Sequence, residues 1–131
     1  MLQTEYSLGY SELGFAERLG LQTAELENAA GEFVGPSLAS GEAALANSID
    51  EMPENLRLFI ADPKGAGAYP IATFSWLLLH ASYPDDGTRA ALAEFVRYGL
   101  TDGQAVAAEL GYVPLPAAVA ERSLAAVTGL I

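Results

Sequence analysis

The amino-terminal half of the chain alternates between strand-like and helix-like patterns of apolar residues. Strict alternation of apolar and polar residues predicts a β-strand, whereas an apolar residue at every third or fourth position predicts a helix. Asn28 and Gly31 favour a tight turn between two strands, because both residue types tolerate a positive φ. The predicted elements are a strand at 6–10, a helix capped by Ser11 and ending at Gly20, two short strands around 28–31, a helix opened by Pro36-Ser37 and ending before Met52-Pro53, and a strand at 57–60.

The carboxy-terminal half begins with a long apolar stretch and is then helical. Residues 71–80, IATFSWLLLH, favour β-structure, and at about 3.3 Å per residue they predict a strand of roughly 33 Å. Asp86 or Thr88 is the expected N-cap of the next helix, and the run from Thr101 to Gln104 fits a capping box. The remaining predicted elements are a helix whose apolar face reaches Leu100 and which is broken at Gly99, a helix from the capping box to a stop at Gly111, an extended link at 112–116, and a last helix from Pro116 to Ile131.

This order, β-α-β-β-α-β-β-α-α-α, predicts a single α/β domain of 131 residues. A strand as apolar as 71–80 must be covered on both faces. The chain is 51% apolar, slightly above the globular norm. The surplus indicates surface that is meant for a partner.

The charge of the chain narrows the classes of partner. Seventeen acidic residues against six basic ones give a net charge of −11, and the only lysine is Lys64. Binding to nucleic acid or to an anionic membrane requires clustered Lys and Arg, so neither partner is expected. The absence of Cys excludes disulfides and thiolate metal sites, and we predict no cofactor and no metal. The chain shows neither a membrane-length apolar segment nor a signal-peptide pattern.

His80 is the only histidine, so any general-base mechanism must use it. Ser75, Ser82 and Asp85 are close to it in sequence and could form a hydrolase triad. Ser and His on one strand seldom meet in the required geometry, and the chain has no nucleophile-elbow motif. A small hydrolase is therefore the least favoured hypothesis, and we predict no catalytic residues.

Two loops could bind ions. Gly65 and Gly67 beside Lys64 could offer amides to a phosphate, although a flexible connection is the favoured interpretation because no complete phosphate-binding motif is present. The acids of Asp85–Thr88 could bind a cation, but helix capping explains them more simply.

Clusters of acids and aromatics have ordinary structural interpretations. The acidic pairs Glu25/Glu27 and Asp50/Glu51 could support acid-base chemistry, but on a chain this acidic they are expected to be solvated. One set of aromatic residues could line a ligand site but is expected to be core: Tyr69, Phe74, Trp76, Phe95 and Tyr98.

Three motifs, in order, resemble the periplasmic phosphate-binding protein of the high-affinity phosphate ABC transporter. They are L-G-Y-S-E followed by Ala at 8–16, Y-P-I at 69–71, and T-D-G-Q with L-G-Y-V-P-L-P at 101–116. The resemblance implies a partial periplasmic-binding-protein (type II) fold, with mixed sheet segments and covering helices. It places residues 1–67 in the second lobe, and 68–131 as a crossing strand plus helices of the first lobe.

The resemblance also implies how the protein works and what this chain lacks. Two lobes close over phosphate about a hinge, here expected at Ala68, Tyr69, Pro70 and Ile71. The family's phosphate ligands lie in the amino-terminal half and have no counterpart here, so the ligand-binding residues of this chain are unknown. The implied partners are phosphate through the complete protein, an amino-terminal half or a second copy, and the transporter permease. The full-length form is expected to be exported to the periplasm or cell surface.

One alternative from a different class stays open. The chain could be a self-contained, acidic α/β module that recognises another protein. That hypothesis predicts a compact monomer without an exposed apolar patch, whereas a carboxy-terminal half should leave apolar surface uncovered.

Overall fold

The computed structural model describes residues 4–128, in which the helices and strands occupy the two ends and the middle has no regular element. Helices together with a small sheet are compatible with the predicted α/β class. The elements are α1 Leu13–Arg18, β1 Leu26–Glu27, β2 Phe33–Val34, α2 Leu38–Ala46, a 3-10 turn Ile49–Glu51, α3 Asp86–Leu100, α4 Gln104–Ala107, a 3-10 turn Ala108–Leu110, and α5 Ala117–Val127.

The first two helices form within the segments predicted for them, but α2 ends at Ala46, and a separate 3-10 turn precedes Met52. Ser37 caps α2 with a capping box, because its hydroxyl accepts from the Ser40 N–H (3.0 Å) and its own N–H donates to the Ser40 hydroxyl (2.9 Å). Ser11 does not cap α1; the N-cap residue is Glu12, and the Ser11 hydroxyl donates to the Glu12 carbonyl instead. The stop at Gly20 is confirmed by its φ of 61°.

The third helix begins one residue earlier than predicted. Asp85, rather than Asp86 or Thr88, is the N-cap of α3, and its carboxylate accepts from the Thr88 N–H at 2.5 Å. The capping box expected at Thr101 and Gln104 is wrong. The Thr101 hydroxyl donates to the Arg97 carbonyl of α3, at 2.8 Å, so it is not available to cap α4.

The Gln104 amide joins two elements instead of closing a cap. Its nitrogen donates to the Gly99 carbonyl, and its oxygen accepts from the Leu115 N–H at 2.7 Å. The Gly111 stop is confirmed, with φ of 81°. The last predicted helix is present as α5, while the predicted end at Ile131 lies outside the described residues.

The two short strands predicted around 28–31 form a sheet, the only one in the described part of the chain. β1 and β2 pair antiparallel, with Leu26 opposite Val34 and Glu27 opposite Phe33, around the predicted turn. The strands predicted at 6–10, 57–60 and 71–80 are wrong as regular elements. A strand requires a hydrogen-bonded neighbour, and within residues 4–128 none of these segments has one.

The core lies between α2, α5 and two irregular segments. Its buried members are Leu45, Met52, Phe74 and Val119. Half-buried residues that surround this cluster are Ile49, Leu56, Leu58, Ile60, Val113 and Leu115. The alternate burial of 56, 58 and 60 shows that this segment has a strand-like apolar face although it lacks a paired neighbour.

A close glycine contact holds α1 against the carboxy-terminal part. A Cβ added to Gly111 would lie 2.4 Å from the Cα of Gly14, so the two backbones touch. Tyr112 reinforces this contact by donating from its hydroxyl to the Glu12 carboxylate at 3.1 Å. That carboxylate also raises the pKa of the Tyr112 phenol, because the hydrogen bond favours the protonated form. Among the described helices, none has the length and apolar character needed to cross a membrane.

Candidate functional site

The segment that the sequence singles out, residues 68–80, is fixed at its start and open along the rest; we call it the crossing segment. Ala68 is 0% exposed, and its carbonyl accepts from the Asn28 side-chain amide at 3.2 Å. The Tyr69 N–H donates to the Ser40 carbonyl at 3.1 Å, and the Pro70 carbonyl accepts from the Asp62 N–H at 3.3 Å. Three consecutive residues are thus tied to the hairpin, to α2 and to the preceding loop.

Asn28 is the central residue of this attachment. It is 5% exposed, and its side-chain oxygen accepts from the Ala30 and Glu32 N–H groups at 3.0 Å each. Its side-chain nitrogen then points at the crossing segment. Sequence reasoning treated Asn28 only as a turn residue and missed its second role, because nothing in a local pattern reveals a partner 40 positions away.

The loop before the crossing segment is fixed by two carboxylates. The Ala29 N–H donates to Asp62 at 2.9 Å, and the Gly67 N–H donates to Glu32 at 2.8 Å. Asp62 has a φ of 45°, which is uncommon for a residue other than glycine. The loop is therefore not the flexible connection that the sequence favoured. The phosphate-cradle alternative gains no support, since a carboxylate already occupies the amide of Gly67.

From Ile71 onward the backbone of the crossing segment bonds only to side chains in the described part: the Phe74 carbonyl accepts from the Thr73 hydroxyl, and the His80 N–H donates to the Tyr83 hydroxyl. No backbone N–H or carbonyl of residues 71–80 bonds to the backbone of another residue within 4–128. Phe74 alone of this stretch is buried, in the core. The Trp76 indole donates to the Leu56 carbonyl at 2.9 Å, and its ring lies 5.3 Å from that of Phe59.

Five apolar side chains of this region are exposed, and we call them the open apolar surface; Ala72 and Leu79 are half-buried. Leu78 is 90% exposed, Ile71 73% and Phe59 70%. The open apolar surface comprises Phe59, Ile71, Trp76, Leu77 and Leu78. Exposed apolar side chains clustered along one segment are typical of a surface that another chain or segment covers.

His80 does not assemble a catalytic triad. Its backbone N–H donates to the Tyr83 hydroxyl at 3.0 Å, and its ring meets the Tyr83 ring edge-on at 5.7 Å. In the part of the chain that the structure describes, no hydrogen bond connects His80 to Ser75, Ser82 or Asp85. The geometry therefore offers no activated serine at this position.

The acidic and aromatic sets have mixed outcomes. The acidic pairs at 25/27 and 50/51 are solvent-exposed, as predicted. Phe74 is core and Tyr69 is half-buried, but Trp76, Phe95 and Tyr98 are exposed, so the core prediction is wrong for these three. Asp85 acts as a helix cap, which agrees with the capping interpretation of its loop. Residues 4–128 contain no group of three or more His, Asp or Glu side chains placed to hold a metal ion.

The basic side chains of α3 are engaged by neighbouring acids. Arg89 pairs with Asp86 at 2.6 Å, and Arg97 pairs with Glu94 one turn away. The Arg97 guanidinium lowers the pKa of Glu94 through this hydrogen-bonded pair. These cations are consequently not presented as a cluster that could bind an anion.

Comparison with known proteins shows which class of protein the chain resembles. No family model matches the chain. Curated proteins described as phosphate-binding proteins match at 32–36% identity over about nine-tenths of it, which confirms the resemblance seen in the motifs. The chain spans about a third of the length of these relatives. The match is consistent with a carboxy-terminal fragment of such a protein.

The particular relatives are phosphate-binding proteins named PstS. The chain is 34% identical to PstS of Pasteurella multocida over 118 residues, which is 90% of this chain and 34% of the relative. It is 36% identical to PstS of Xylella fastidiosa over 114 residues, 87% of this chain and 31% of the relative. PstS of Methanocaldococcus jannaschii is 32% identical over 95% of this chain and 35% of the relative.

Proposed function

We propose that this chain supplies the carboxy-terminal part of a phosphate-binding protein of an ABC transporter and contributes no phosphate ligand of its own. The observation that carries the proposal is the 32–36% identity to phosphate-binding proteins of which the chain spans about a third. The relatives' names describe binding proteins, which supports binding as the proposed role. The motifs that hold phosphate in the resembled family have no counterpart in these 131 residues.

The electrostatics are compatible with a ligand site outside this chain. A phosphate captured by neutral donors and helix N-termini in a closed cleft does not require a positive surface. In the described part, the side chains of Ser37 and Asp85 cap the N-termini of α2 and α3. The free backbone N–H groups at the starts of these two helices therefore already have acceptors within the chain.

We keep the hinge at Ala68–Ile71 as a proposal that comes from the resemblance. In this proposal residues 1–67 belong to one lobe, and residues 68–131 supply the crossing segment and helices of the other lobe. Ala68, Tyr69 and Pro70 are tied to the first part by hydrogen bonds, and Ile71 begins the stretch without backbone partners. Rotation about Ala68–Ile71 would close the lobes over phosphate, and the permease would receive the closed, exported protein.

Calorimetric titration of inorganic phosphate into the isolated chain tests the absence of ligand residues. We expect no binding tighter than about 1 mM, which corresponds to about 4 kcal/mol, because the remaining two thirds would supply the donors. The matched control is the full-length Pasteurella multocida relative in the same buffer. Micromolar phosphate binding by a monomer of these 131 residues would show that the chain carries a site of its own.

The alternative of a self-contained acidic interaction module is favoured less. It predicts a monomer without exposed apolar surface, whereas Leu78 and Ile71 are largely exposed. Light scattering after size exclusion separates the two hypotheses. A compact monomer that does not bind a hydrophobic dye supports the module. Self-association, or binding of the dye, supports the incomplete phosphate-binding protein.

A further inference from the structure

Two helices in the amino-terminal half contain an internal glycine at the place where they touch the same short segment of the carboxy-terminal half. Gly14 lies in α1 and is buried, and Gly41 lies in α2 and is half-buried. The segment that they touch is residues 111–113, which we call the strap. Glycine inside a helix is less favourable than alanine, so both positions need a reason other than helix formation.

The reason is the close approach of the strap to each helix. A Cβ on Gly14 would lie 2.8 Å from the Leu110 carbonyl oxygen and 2.9 Å from the Cα of Gly111. A Cβ on Gly41 would lie 2.5 Å from Cγ2 of Val113. A side chain at either glycine would therefore push the strap away from its helix. Two separate helices thus leave room for the same segment.

The strap is also held in one conformation. Gly111 has a φ of 81°, in the left-handed region that glycine adopts without strain. The Tyr112 hydroxyl donates to the Glu12 carboxylate at 3.1 Å, and beyond the strap the Leu115 N–H donates to the Gln104 side chain at 2.7 Å. The strap is consequently tied to the start of α1 on one side and to the start of α4 on the other.

The core continues the contact that the strap makes. Val113 packs against this core, and the buried core residues come from both sides of the crossing, two from each: Leu45 and Met52, and Phe74 and Val119. Close-packed interiors do not tolerate large relative displacements. A rotation between residues 1–67 and 68–131 that keeps these contacts must therefore have its axis close to them.

We propose that the strap and the hinge at Ala68–Ile71 together set the axis about which the two lobes rotate as they close over phosphate. The inference rests on the proposed function, to which the division into lobes belongs. The covalent crossing fixes one point of the axis, and the strap, which touches α1 and α2, fixes a second. Contact through glycines lets the backbones turn against each other without an intervening side chain. Gly14 is therefore a positioning residue that acts without contacting phosphate.

Phosphate calorimetry and small-angle X-ray scattering test this role in a chimera in which these 131 residues replace the matched third of the Pasteurella multocida relative. In Gly14→Ala the added methyl group displaces the strap, so fewer molecules close correctly. We expect the phosphate Kd to rise at least about tenfold, because apparent affinity falls with the fraction that is competent to bind. We also expect phosphate to cause a smaller decrease in the radius of gyration than in the unsubstituted chimera. Circular dichroism first establishes that each protein is folded.

Gly99→Ala is the matched control for this variant. Gly99 lies in α3, and a Cβ there would have no neighbour within 4 Å. We expect its phosphate Kd to stay within about twofold of the unsubstituted chimera. Gly41→Ala displaces the strap from the side of α2, with the same expected direction as Gly14→Ala, and decides the test if Gly14→Ala does not fold.

Two results from the deciding strap variant overturn the inference. One is a phosphate Kd equal to that of Gly99→Ala. The other is weaker binding with an unchanged decrease in the radius of gyration, since the lobes then close as before and the substitution acts only on the stability of the fold.

The outcomes separate this inference from the proposed function. An unsubstituted chimera that binds phosphate, with strap variants equal to the control, overturns the inference and leaves the function standing. A folded, unsubstituted chimera that does not bind phosphate overturns the function and the inference with it. If the unsubstituted chimera does not fold, the same substitutions are compared in the isolated chain mixed with the separately produced remainder of the relative. Equal phosphate affinities, or no binding in any mixture, then overturn the inference.

Discussion

At the scale of single residues, a few side chains join segments that are distant in sequence. The Asn28 amide links the hairpin turn to Ala68, and two carboxylates, Asp62 and Glu32, hold backbone amides across the same gap. Each of these polar groups stabilises the fold by a hydrogen bond between distant segments and has no catalytic or ligand-binding role in this account. Their residue types were visible in the sequence, but their partners, more than thirty positions away, were not.

Replacing Asn28 with Asp tests the hydrogen bond from the Asn28 side chain to the Ala68 carbonyl. The variant keeps the acceptor for the Ala30 and Glu32 amides but loses the donor to Ala68 and faces that carbonyl with a buried oxygen. We expect the free energy of unfolding to fall by about 1–3 kcal/mol, measured by urea denaturation.

Asn55→Asp is the matched control for that variant. Asn55 is exposed and only accepts from the Arg57 N–H, so Asp preserves its hydrogen bond. We expect a change of less than about 0.5 kcal/mol. Equal losses from the two variants would contradict the role given to Asn28.

Asp85 gives a prediction of pH dependence at the same scale. Hydrogen bonds from the Thr88 hydroxyl and N–H lower the pKa of Asp85 below its ordinary value of 3.8. A lowered folded-state pKa means that the charged cap stabilises the folded protein above pH 3.8 and that this stabilisation is lost as the pH falls through the lowered pKa. Asp85→Ser, a cap that does not titrate, should therefore lose less helicity on acidification, measured by far-UV circular dichroism.

The control variant is Glu94→Gln. Glu94 is the other carboxylate of α3 whose pKa is lowered, in its case by the pair with Arg97, so this variant removes a second pH-dependent stabilisation of the helix while the Asp85 cap stays in place. An acid transition that is identical in the Asp85→Ser variant and the unmodified chain would show that the cap does not control the helix start.

At the scale of elements, the sequence predicted helices better than strands for a physical reason. Helices satisfy their hydrogen bonds locally, so caps such as Ser37 and stops such as Gly20 and Gly111 place them closely. Strands depend on a neighbour that local pattern cannot supply. Residues 57–60 and 71–80 have strand-like composition but no ladder in the described chain, and only the hairpin with its own local turn forms.

The Thr101–Gln104 error has a different origin. The motif matched a capping box, but other hydrogen bonds engage both side chains: the Thr101 hydroxyl donates back to the Arg97 carbonyl at the end of α3, and the Gln104 oxygen accepts from the Leu115 N–H. The hinge prediction at Ala68–Ile71 came from resemblance and remains a prediction. The fastening of its first three residues could not be foreseen from a local pattern.

Two substitutions within the crossing segment test its division into a buried and an open part. Phe74→Ala should cost about 3–5 kcal/mol of unfolding free energy in the isolated chain, because Phe74 packs in the core. Leu78→Ala should change it by less than about 0.5 kcal/mol, because Leu78 is exposed there. Urea denaturation measures both, and similar losses at the two positions would contradict the open apolar surface.

At the scale of the whole molecule, the chain combines a small core with a surface that it does not cover itself. The core joins α2, α5 and Phe74, while the open apolar surface and the side chains of Phe95 and Tyr98 on α3 face solvent. A chain that spans a third of its relatives explains this combination more simply than an independent module does.

The most direct test of this account is phosphate titration calorimetry on the chimera in which these 131 residues replace the matched third of the Pasteurella multocida relative. The account predicts that the folded chimera binds phosphate within about tenfold of the unmodified relative, a difference of about 1.4 kcal/mol, because the replaced third contributes scaffold and closure rather than ligands. A folded chimera that shows no phosphate binding would contradict it.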